Sequence, residues 1–291
     1  MPLFPIVLII ISCFTHAGWN LLARHRRDEV RFIRRMLLLI VPLTAVPIAA
    51  GLMLPHSFPP RIWAYLVPSG LICGAYFFFL ARAYGSSDFT IVYPVARALP
   101  VLMVAGVDVL RGRYPTGAGW VGMLVVVAGC VVAPQESLRE FDLRRYHLRE
   151  VGWILLTAAT IVGFTMFDKL AQEMVQRGPG SALLYCGVWH NFACAGYLFL
   201  HAVVPAGSGG EADSGWGMPA AAAVLGLISY TLVLWAYQLT SRTGYLLAFR
   251  QFSIAVGVAA SFILHREAGA RVRLPATAAI VAGLVVLAVW G

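Results

Sequence analysis

Ten apolar runs, each near the length of a bilayer-spanning helix, dominate this sequence. They lie at residues 3–23, 34–54, 62–84, 89–110, 116–133, 149–171, 181–204, 219–239, 244–264 and 273–290. A transmembrane helix needs about 20 apolar residues. Lipid offers no partners to backbone N–H and C=O groups, so each run must satisfy them internally as a helix, whereas a barrel would show short alternating strands. The sequence therefore predicts an all-α membrane protein with ten transmembrane helices.

Composition and motifs narrow the function. With 60% hydrophobic and 12% charged residues, the 291-residue chain holds more apolar surface than a soluble core needs. Its formal net charge of +9 comes almost entirely from arginines in the connections, a pattern that predicts no nucleic-acid partner. The five cysteines lie within apolar runs without metal-ligand spacing, and the sequence contains no nucleotide-binding, hydrolase or cofactor motif. We therefore expect no cofactor, no metal and no enzyme activity, with the lipid bilayer and a small-molecule solute as partners.

The two halves of the chain carry matching segments. VAGCVV at 127–132 and VAGLVV at 281–286 share five of six residues. Shorter matches occur in the same order along the two halves: 70–72 with 226–228, and 20–23 with 168–171. This agreement in order predicts an internal duplication.

The duplication divides the ten runs into two sets of five. We predict one repeat at residues 1–133, a linker at 134–148 and a second repeat at 149–291. Because five is odd, the second repeat would enter the membrane inverted relative to the first. Inverted repeats typically build a pathway that opens alternately to the two sides, with the substrate site between them near the midplane.

Three segments resemble motifs of a known family. HAGWNLLAR at 16–24 resembles the first-helix signature of EamA-type members of the drug/metabolite transporter superfamily. YPVAR at 93–97, followed by Pro100, resembles their fourth-helix motif, and FRQFS at 249–253 resembles its counterpart in the ninth helix. The resemblance implies a ten-helix, multi-pass secondary transporter of the inner membrane, a monomer or homodimer. It also implies that the protein exports small organic solutes such as metabolites, amino acids or drug-like molecules.

Arg97 and Arg250 are the strongest candidates for substrate binding. Each lies well inside an apolar run, where an arginine costs roughly 2.5–3.5 kcal/mol and is expected to face the bundle interior or a wet cavity. Two guanidinium groups in one cavity would bind a carboxylate or phosphate bidentately. The alternative is that each arginine pairs with a buried acid or with carbonyl groups and only stabilises the bundle.

Two acids lie in membrane segments. Asp168, in the last turn of the sixth run and next to Lys169, is a candidate for coupling transport to protons, because an acid within a membrane is sensitive to the state of its cavity. The alternative is a solvated helix end. Asp108 lies near the end of the fourth run, and we interpret it as an interfacial residue or part of a gate, with a role in the substrate site as the alternative.

Histidine, asparagine and aromatic residues complete the candidate site. His16 and Asn20 share one face of the first helix at spacing i and i+4. His190 lies midway along the seventh run, and Tyr76 and Trp235 are candidates to line an apolar cavity. For all five residues the alternative is a packing role.

The sequence favours a gradient-driven secondary transporter, because it has no ATP-binding motif. The alternatives are an intramembrane enzyme or flippase acting on a lipid-linked group, which would need His16, His190 and Asp168 to converge, and a scaffold or sensor without transport.

Two arguments about the orientation of the protein in the membrane give opposite predictions. Arginines concentrate after the first, fifth and ninth runs, which would place these connections in the cytoplasm and both termini outside. The family resemblance implies cytoplasmic termini. With ten helices, both termini lie on one side in either case.

Overall fold

Helices make up the regular structure of the computed structural model, which describes residues 2–24, 29–53, 58–86, 89–133, 135, 148–204, 215–265 and 269–291. Within these ranges no strand occurs. A short 3-10 turn at Pro60–Ile62 precedes the third helix. The α-helices are α1 Leu3–Arg24, α2 Glu29–Leu52, α3 Trp63–Ser86, α4 Phe89–Leu110, α5 Gly117–Val132, α6 Leu148–Gln172, α7 Pro179–Val203, α8 Gly217–Leu239, α9 Thr243–Arg250, α10 Phe252–His265 and α11 Ala270–Trp290.

The predicted class of membrane protein is confirmed. Among the described residues, seven helices are long and apolar enough to cross a membrane, and Ala98–Leu110 and Gly117–Val132 form shorter apolar helical stretches. The number of ten transmembrane crossings stays a prediction. The predicted linker at 134–148 lies almost entirely outside the described residues.

The run predicted as one helix at 244–264 is two helices, α9 and α10, with a break at Gln251. The Gln251 backbone N–H donates to the Ala248 carbonyl at 2.9 Å, and the Ile254 N–H donates to the Gln251 carbonyl at 2.9 Å. Both bonds join residues three apart, so the backbone is wound more tightly here than in an α-helix. The prediction of one continuous helix was therefore wrong at this point.

Helices of the first half pack against helices of the second in pairs that have counterparts. The counterparts appear when α1, α2, α3, α4 and α5 are matched in order with α6, α7, α8, α9 plus α10, and α11. The contact of α1 with α8 corresponds to that of α6 with α3, and the contact of α3 with α7 corresponds to that of α8 with α2. The contact of α4 with α6 likewise corresponds to those of α9 and α10 with α1. The pairs α2 with α7 and α5 with α11 correspond to themselves.

Glycines of the matching VAG segments lie where α5 crosses α11. A Cβ atom added at Gly129 would lie 2.9 Å from the Ala276 carbonyl oxygen, and one added at Gly283 would lie 2.8 Å from the Gly122 carbonyl oxygen. Small residues let membrane helices approach this closely. The sequence match between the halves therefore falls on one close helix crossing.

We expect Gly129→Ala to destabilise the protein by about 1–3 kcal/mol, because the added methyl group would collide with backbone that cannot move away easily. The measurement is the midpoint of thermal unfolding in detergent. Gly152→Ala is the matched control, since nothing lies within 4 Å of a Cβ atom added at Gly152. Equal midpoints for the two variants would contradict the close crossing.

Both termini of the chain lie at one end of the bundle, which we call the terminal end. Near the start of α1, the ring of Phe4 lies 5.2 Å from that of Trp235 near the end of α8. The Thr116 hydroxyl, just before α5, donates to the carbonyl of Trp290 at the end of α11 at 3.0 Å. Arg113 joins the two places, because its Nη1 donates to the Ser241 carbonyl after α8 at 3.1 Å. The structure thus agrees with termini on one side.

Candidate solute-binding cavity

A cavity lies among α1, α2, α3, α6, α7, α8 and α9, at and beyond the middle of the long helices as seen from the terminal end. The empty space between its side chains is ≈ 750 Å³, part of it continuous with solvent. Its lining is mostly aromatic and aliphatic with a few polar groups, as is usual for sites that bind small molecules. The described aromatic lining residues are Trp19, Tyr76, Phe77, Phe164, Trp189 and Tyr230, and the polar ones include His16, His190, Ser229, Arg250 and Gln251.

Arg250 is the one arginine or lysine among the described residues that line this cavity. It is the last residue of α9, a helix in which every residue is buried, and its own exposed fraction is only 9%. The negative end of the α9 dipole favours a cation at this position. The guanidinium carbon lies 5.7 Å from the ring centre of Tyr230, which is within the range of a cation–π contact. The break at Gln251 thus brings a charged side chain to the cavity at the end of a buried helix.

Stacked and edge-on rings form one wall of the cavity. The rings of Trp189 and Tyr230 stack with centroids 4.3 Å apart and planes 19° apart. Phe164 meets them edge-on, at 5.9 Å from Trp189 and 6.2 Å from Tyr230. Tyr76 lies 5.8 Å from Phe164. Such pairs hold each other in preferred geometries, so this wall is well ordered by its own contacts.

The two predicted histidines both line the cavity. The Trp19 indole N–H donates to His16 Nδ1 at 3.1 Å. His190 Nδ1 lies 2.8 Å from the Cys186 carbonyl, which can only accept, so Nδ1 carries a proton. Each histidine is therefore oriented by a residue three or four positions away on its own helix.

The other predicted binding residues lie elsewhere. Asn20 Nδ2 donates to the His16 carbonyl at 2.7 Å and Trp235 packs on Phe4, and both are outside the set of described residues that line the cavity. The backbone of Arg97 belongs to α4, and its side chain falls outside the part of the chain that the structure describes. Of the residues predicted to bind substrate, the structure brings together His16, Tyr76, His190 and Arg250.

Asp168 is fully buried beside the cavity. Its Oδ1 accepts hydrogen bonds from the Ser69 hydroxyl at 2.5 Å and the Tyr185 hydroxyl at 2.7 Å. Its Oδ2 accepts a short hydrogen bond from the hydroxyl of Tyr230. The alternative of a solvated helix end was therefore wrong. Sequence reasoning did not connect the three donors with Asp168, because hydroxyl groups on three different helices carry no spacing signal.

The first part of the chain is similar in sequence to a known family. The model of the EamA-like transporter family matches residues 3–133. The match covers most of the predicted first repeat, which is less than half of the chain. The resemblance drawn from the sequence motifs is thus confirmed, and with it a multi-pass membrane protein of a family that transports small solutes.

The fold of the whole chain is similar to that of a solved structure. A solved structure described as "Crystal structure of protein" covers 98% of this chain and 96% of its own, with a TM-score of 0.68 at 19% sequence identity. It is among 27 solved chains that match. At this identity the likeness shows the fold alone. No curated protein sequence matches the chain.

Charged residues join several helices of the bundle at the terminal end. Lys169 Nζ donates to the carbonyls of Tyr237 at 2.6 Å and Thr240 at 2.5 Å, which satisfies the end of α8. Glu173 Oε1 pairs with Lys169 at 3.2 Å and with Arg113 at 2.8 Å, and its Oε2 pairs with Arg111 at 3.2 Å. This terminal cluster of Arg111, Arg113, Lys169 and Glu173 ties the ends of α4, α6 and α8 together.

The terminal cluster gives a pH-dependent stability. Partial burial of Glu173 would raise its pKa, but the cations of Lys169 and Arg113 outweigh this effect and hold the pKa below its ordinary value of 4.5. A carboxyl whose folded-state pKa is depressed adds stability above its unfolded pKa and loses it as the pH falls through the folded value.

We expect Glu173→Gln to lower the thermal midpoint at neutral pH, and the difference from the unaltered protein to shrink as the pH falls below about 4.5. The measurement is thermal unfolding in detergent over a pH series. A difference that stays constant down to acid pH would show that the carboxylate charge is not what stabilises the cluster.

Asp108 is buried at the same end. Its Oδ2 accepts from the backbone N–H of Gly244 at 2.7 Å, in the first turn of α9. An acid at a helix N-terminus satisfies an orphan N–H group and complements the helix dipole. Asp108 therefore fixes the start of the helix that ends in Arg250.

Proposed function

We propose that this EamA-like protein is a secondary transporter that carries small organic solutes bearing an anionic group across the inner membrane. The observation that carries the proposal is the nearly buried guanidinium of Arg250 facing the cavity. Among the described residues no carboxylate lies within ion-pair distance of it. A buried charge is costly unless it is paired, and the carboxylate or phosphate of a solute would provide the partner.

The aromatic and aliphatic lining supports an organic solute rather than a simple ion. Apolar walls with a few placed polar groups are typical of sites for small organic molecules. Metabolites, amino acids and drug-like acids all carry a carboxylate or phosphate that a guanidinium binds through two parallel hydrogen bonds. His16 and His190, which face the same space, would contribute further polar contacts, as would the side chain of Arg97 in α4.

Alternating access between two inverted repeats, residues 1–133 and 149–291, is part of the proposal. It is supported by the helix pairs that recur when the halves are exchanged and by the VAG segments at one crossing. A cavity near the middle of the long helices is where such repeats hold their substrate. The terminal cluster would have to open when the cavity turns toward the terminal end.

Asp168 is proposed to couple transport to protons. Its burial and its three hydroxyl donors support a carboxyl whose charge depends on its immediate surroundings. The alternative of an intramembrane enzyme has less support. His16 and His190 face the cavity, but the oxygens of Asp168 bind Ser69, Tyr185 and Tyr230 instead of either histidine.

Ligand-induced thermal stabilisation of the purified protein tests the anion site. A ligand that binds only the folded state adds RT ln(1 + [L]/Kd) to its stability, about 2.7 kcal/mol at a hundredfold excess over Kd. The probes are acetate, benzoate and inorganic phosphate, with benzamide as the neutral match to benzoate. We expect at least one anion to stabilise the protein and to lose this effect in Arg250→Leu. Stabilisation by benzamide alone would contradict an anion site.

A further inference from the structure

We infer that Tyr230 links the anion site at Arg250 to the proton site at Asp168, so that an anion and a proton bind together. This inference rests on the proposed function, because it assigns Arg250 and Asp168 the roles given there. Since both ligands would enter and leave through one cavity, they would move in the same direction. An inward proton gradient would then drive the solute inward, opposite to the export that the family resemblance implies.

Tyr230 touches both sites. Its hydroxyl donates to Asp168 Oδ2, while its ring lines the cavity. The guanidinium of Arg250 lies over that ring at 5.7 Å, and the ring also stacks on that of Trp189. The phenol therefore spans the distance between the buried carboxylate and the cation that faces the solute.

The other donors to Asp168 do not make this connection. Ser69 and Tyr185 bind the carboxylate but lie outside the set of described residues that line the cavity. Trp189 lines the cavity but reaches Asp168 only through Ser69, to whose hydroxyl it donates at 2.8 Å. Of the three hydroxyl donors to Asp168, Tyr230 is thus the one that also lines the cavity and lies under the guanidinium of Arg250.

The charges around Asp168 set the sign of the linkage. Several titratable groups face its carboxylate from the packed helices: Cys73 of α3, Tyr185 and Cys186 of α7, Tyr230 and Tyr237 of α8, and Arg250 of α9. Lys169, its neighbour in sequence, is directed to the carbonyls at the end of α8. Arg250 is therefore the cation among these groups whose charge acts on Asp168, although the two are not within ion-pair distance. A solute anion that neutralises Arg250 would leave the carboxylate buried without compensation, and this favours uptake of a proton.

Binding of the anion is accompanied by protonation of Asp168. A proton from water on the side that the cavity faces converts the Asp168 carboxylate to a carboxyl group, so one anion and one proton add no net charge. The tyrosine hydroxyl both donates and accepts, so its hydrogen bond with Asp168 can reverse when the carboxyl carries its own O–H. The ring then loses the electron density that a carboxylate acceptor gives it. Its hold on Arg250 weakens, which frees the guanidinium for the anion.

Removing the charge of Arg250 has the same electrostatic effect as its neutralisation by an anion, so the linkage can be measured without the natural solute. If an anion at Arg250 favours a proton on Asp168, removing the Arg250 charge must favour it too, within the usual coupling range of about 5- to 150-fold. The proton on Asp168 is followed by the infrared band of its protonated carboxyl in the full-length protein. The band is assigned by its loss in Asp168→Asn.

A double-mutant cycle isolates the part of Tyr230. We expect Arg250→Leu to raise the proton affinity of Asp168 at least about fivefold, with Arg250→Lys, which keeps the charge, close to the unaltered protein. In a Tyr230→Phe background, Arg250→Leu should have less than half of this effect. In a Tyr185→Phe background, which also removes one hydroxyl donor to Asp168 but no cavity residue, the full effect should remain.

Two results would overturn the inference. If Arg250→Leu leaves the titration of the carboxyl band unchanged, the two sites are not linked. If its effect is equally large in the Tyr230→Phe and Tyr185→Phe backgrounds, the sites interact through space and Tyr230 has no special part. Arg250→Gln replaces Arg250→Leu if the latter does not fold. Failure of the proposed function would give a different result. In that case no anion would stabilise the protein in the thermal unfolding experiment, whatever the pH titration of the carboxyl band.

Discussion

Arg250→Leu is expected to abolish solute transport while the protein still inserts and remains monodisperse. The substitution removes the charge that would hold the anionic group, and it also removes the cost of burying that charge. Loss of a charge-assisted hydrogen bond costs about 1.5–3 kcal/mol, so we expect the affinity for the solute to fall at least roughly tenfold. The measurement is uptake into proteoliposomes of the most stabilising anion from the thermal screen, beside size-exclusion chromatography.

The same result is expected for Arg97→Leu, the corresponding arginine of α4. Arg271→Leu is the matched control, because it removes the same charge from an exposed position at the start of α11 and should leave uptake unchanged. A variant carrying both Arg97→Leu and Arg250→Leu that transports at the original rate and affinity would rule out the arginines as the anion site.

Asp168→Asn is expected to abolish accumulation of solute driven by a pH gradient and to leave counterflow exchange intact. The amide resembles the protonated carboxyl permanently, so the site can no longer take up and release a proton during the cycle. Exchange needs only the return of a loaded site and does not need proton release. The measurement compares accumulation with exchange in proteoliposomes under an imposed pH gradient.

Asp108→Asn is the control for Asp168→Asn. Asp108 is also a buried acid, but it caps α9 at the terminal end, so its substitution should lower the thermal midpoint without uncoupling accumulation from the pH gradient. Undiminished, pH-dependent accumulation by Asp168→Asn would show that this carboxyl has only a structural part in the hydroxyl cluster of Ser69, Tyr185 and Tyr230.

The class of protein and the choice of Arg250 and Asp168 as candidate residues followed from the sequence alone. Apolar runs of bilayer length leave helices as the only solution for the backbone, so composition and length decide the class. Arg250 and Asp168 stood out because a charge in an apolar run is costly and is retained only with a partner or a role. These conclusions need only local sequence and the properties of the solvent.

Tertiary structure alone decided which side chains meet. Helical periodicity tells which residues share a face of one helix, but not which neighbour that face contacts. The hydroxyl groups of Ser69, Tyr185 and Tyr230 converge on Asp168 from three helices, and Trp235, predicted to line the cavity, packs on Phe4. The break between α9 and α10 at Gln251 could not be predicted from the sequence either, because no proline or glycine lies there. The tighter turn follows a helix that is buried on all sides. Contacts between helices depend on their packing angles and on where each side chain points, and neither is written in any single segment of the chain.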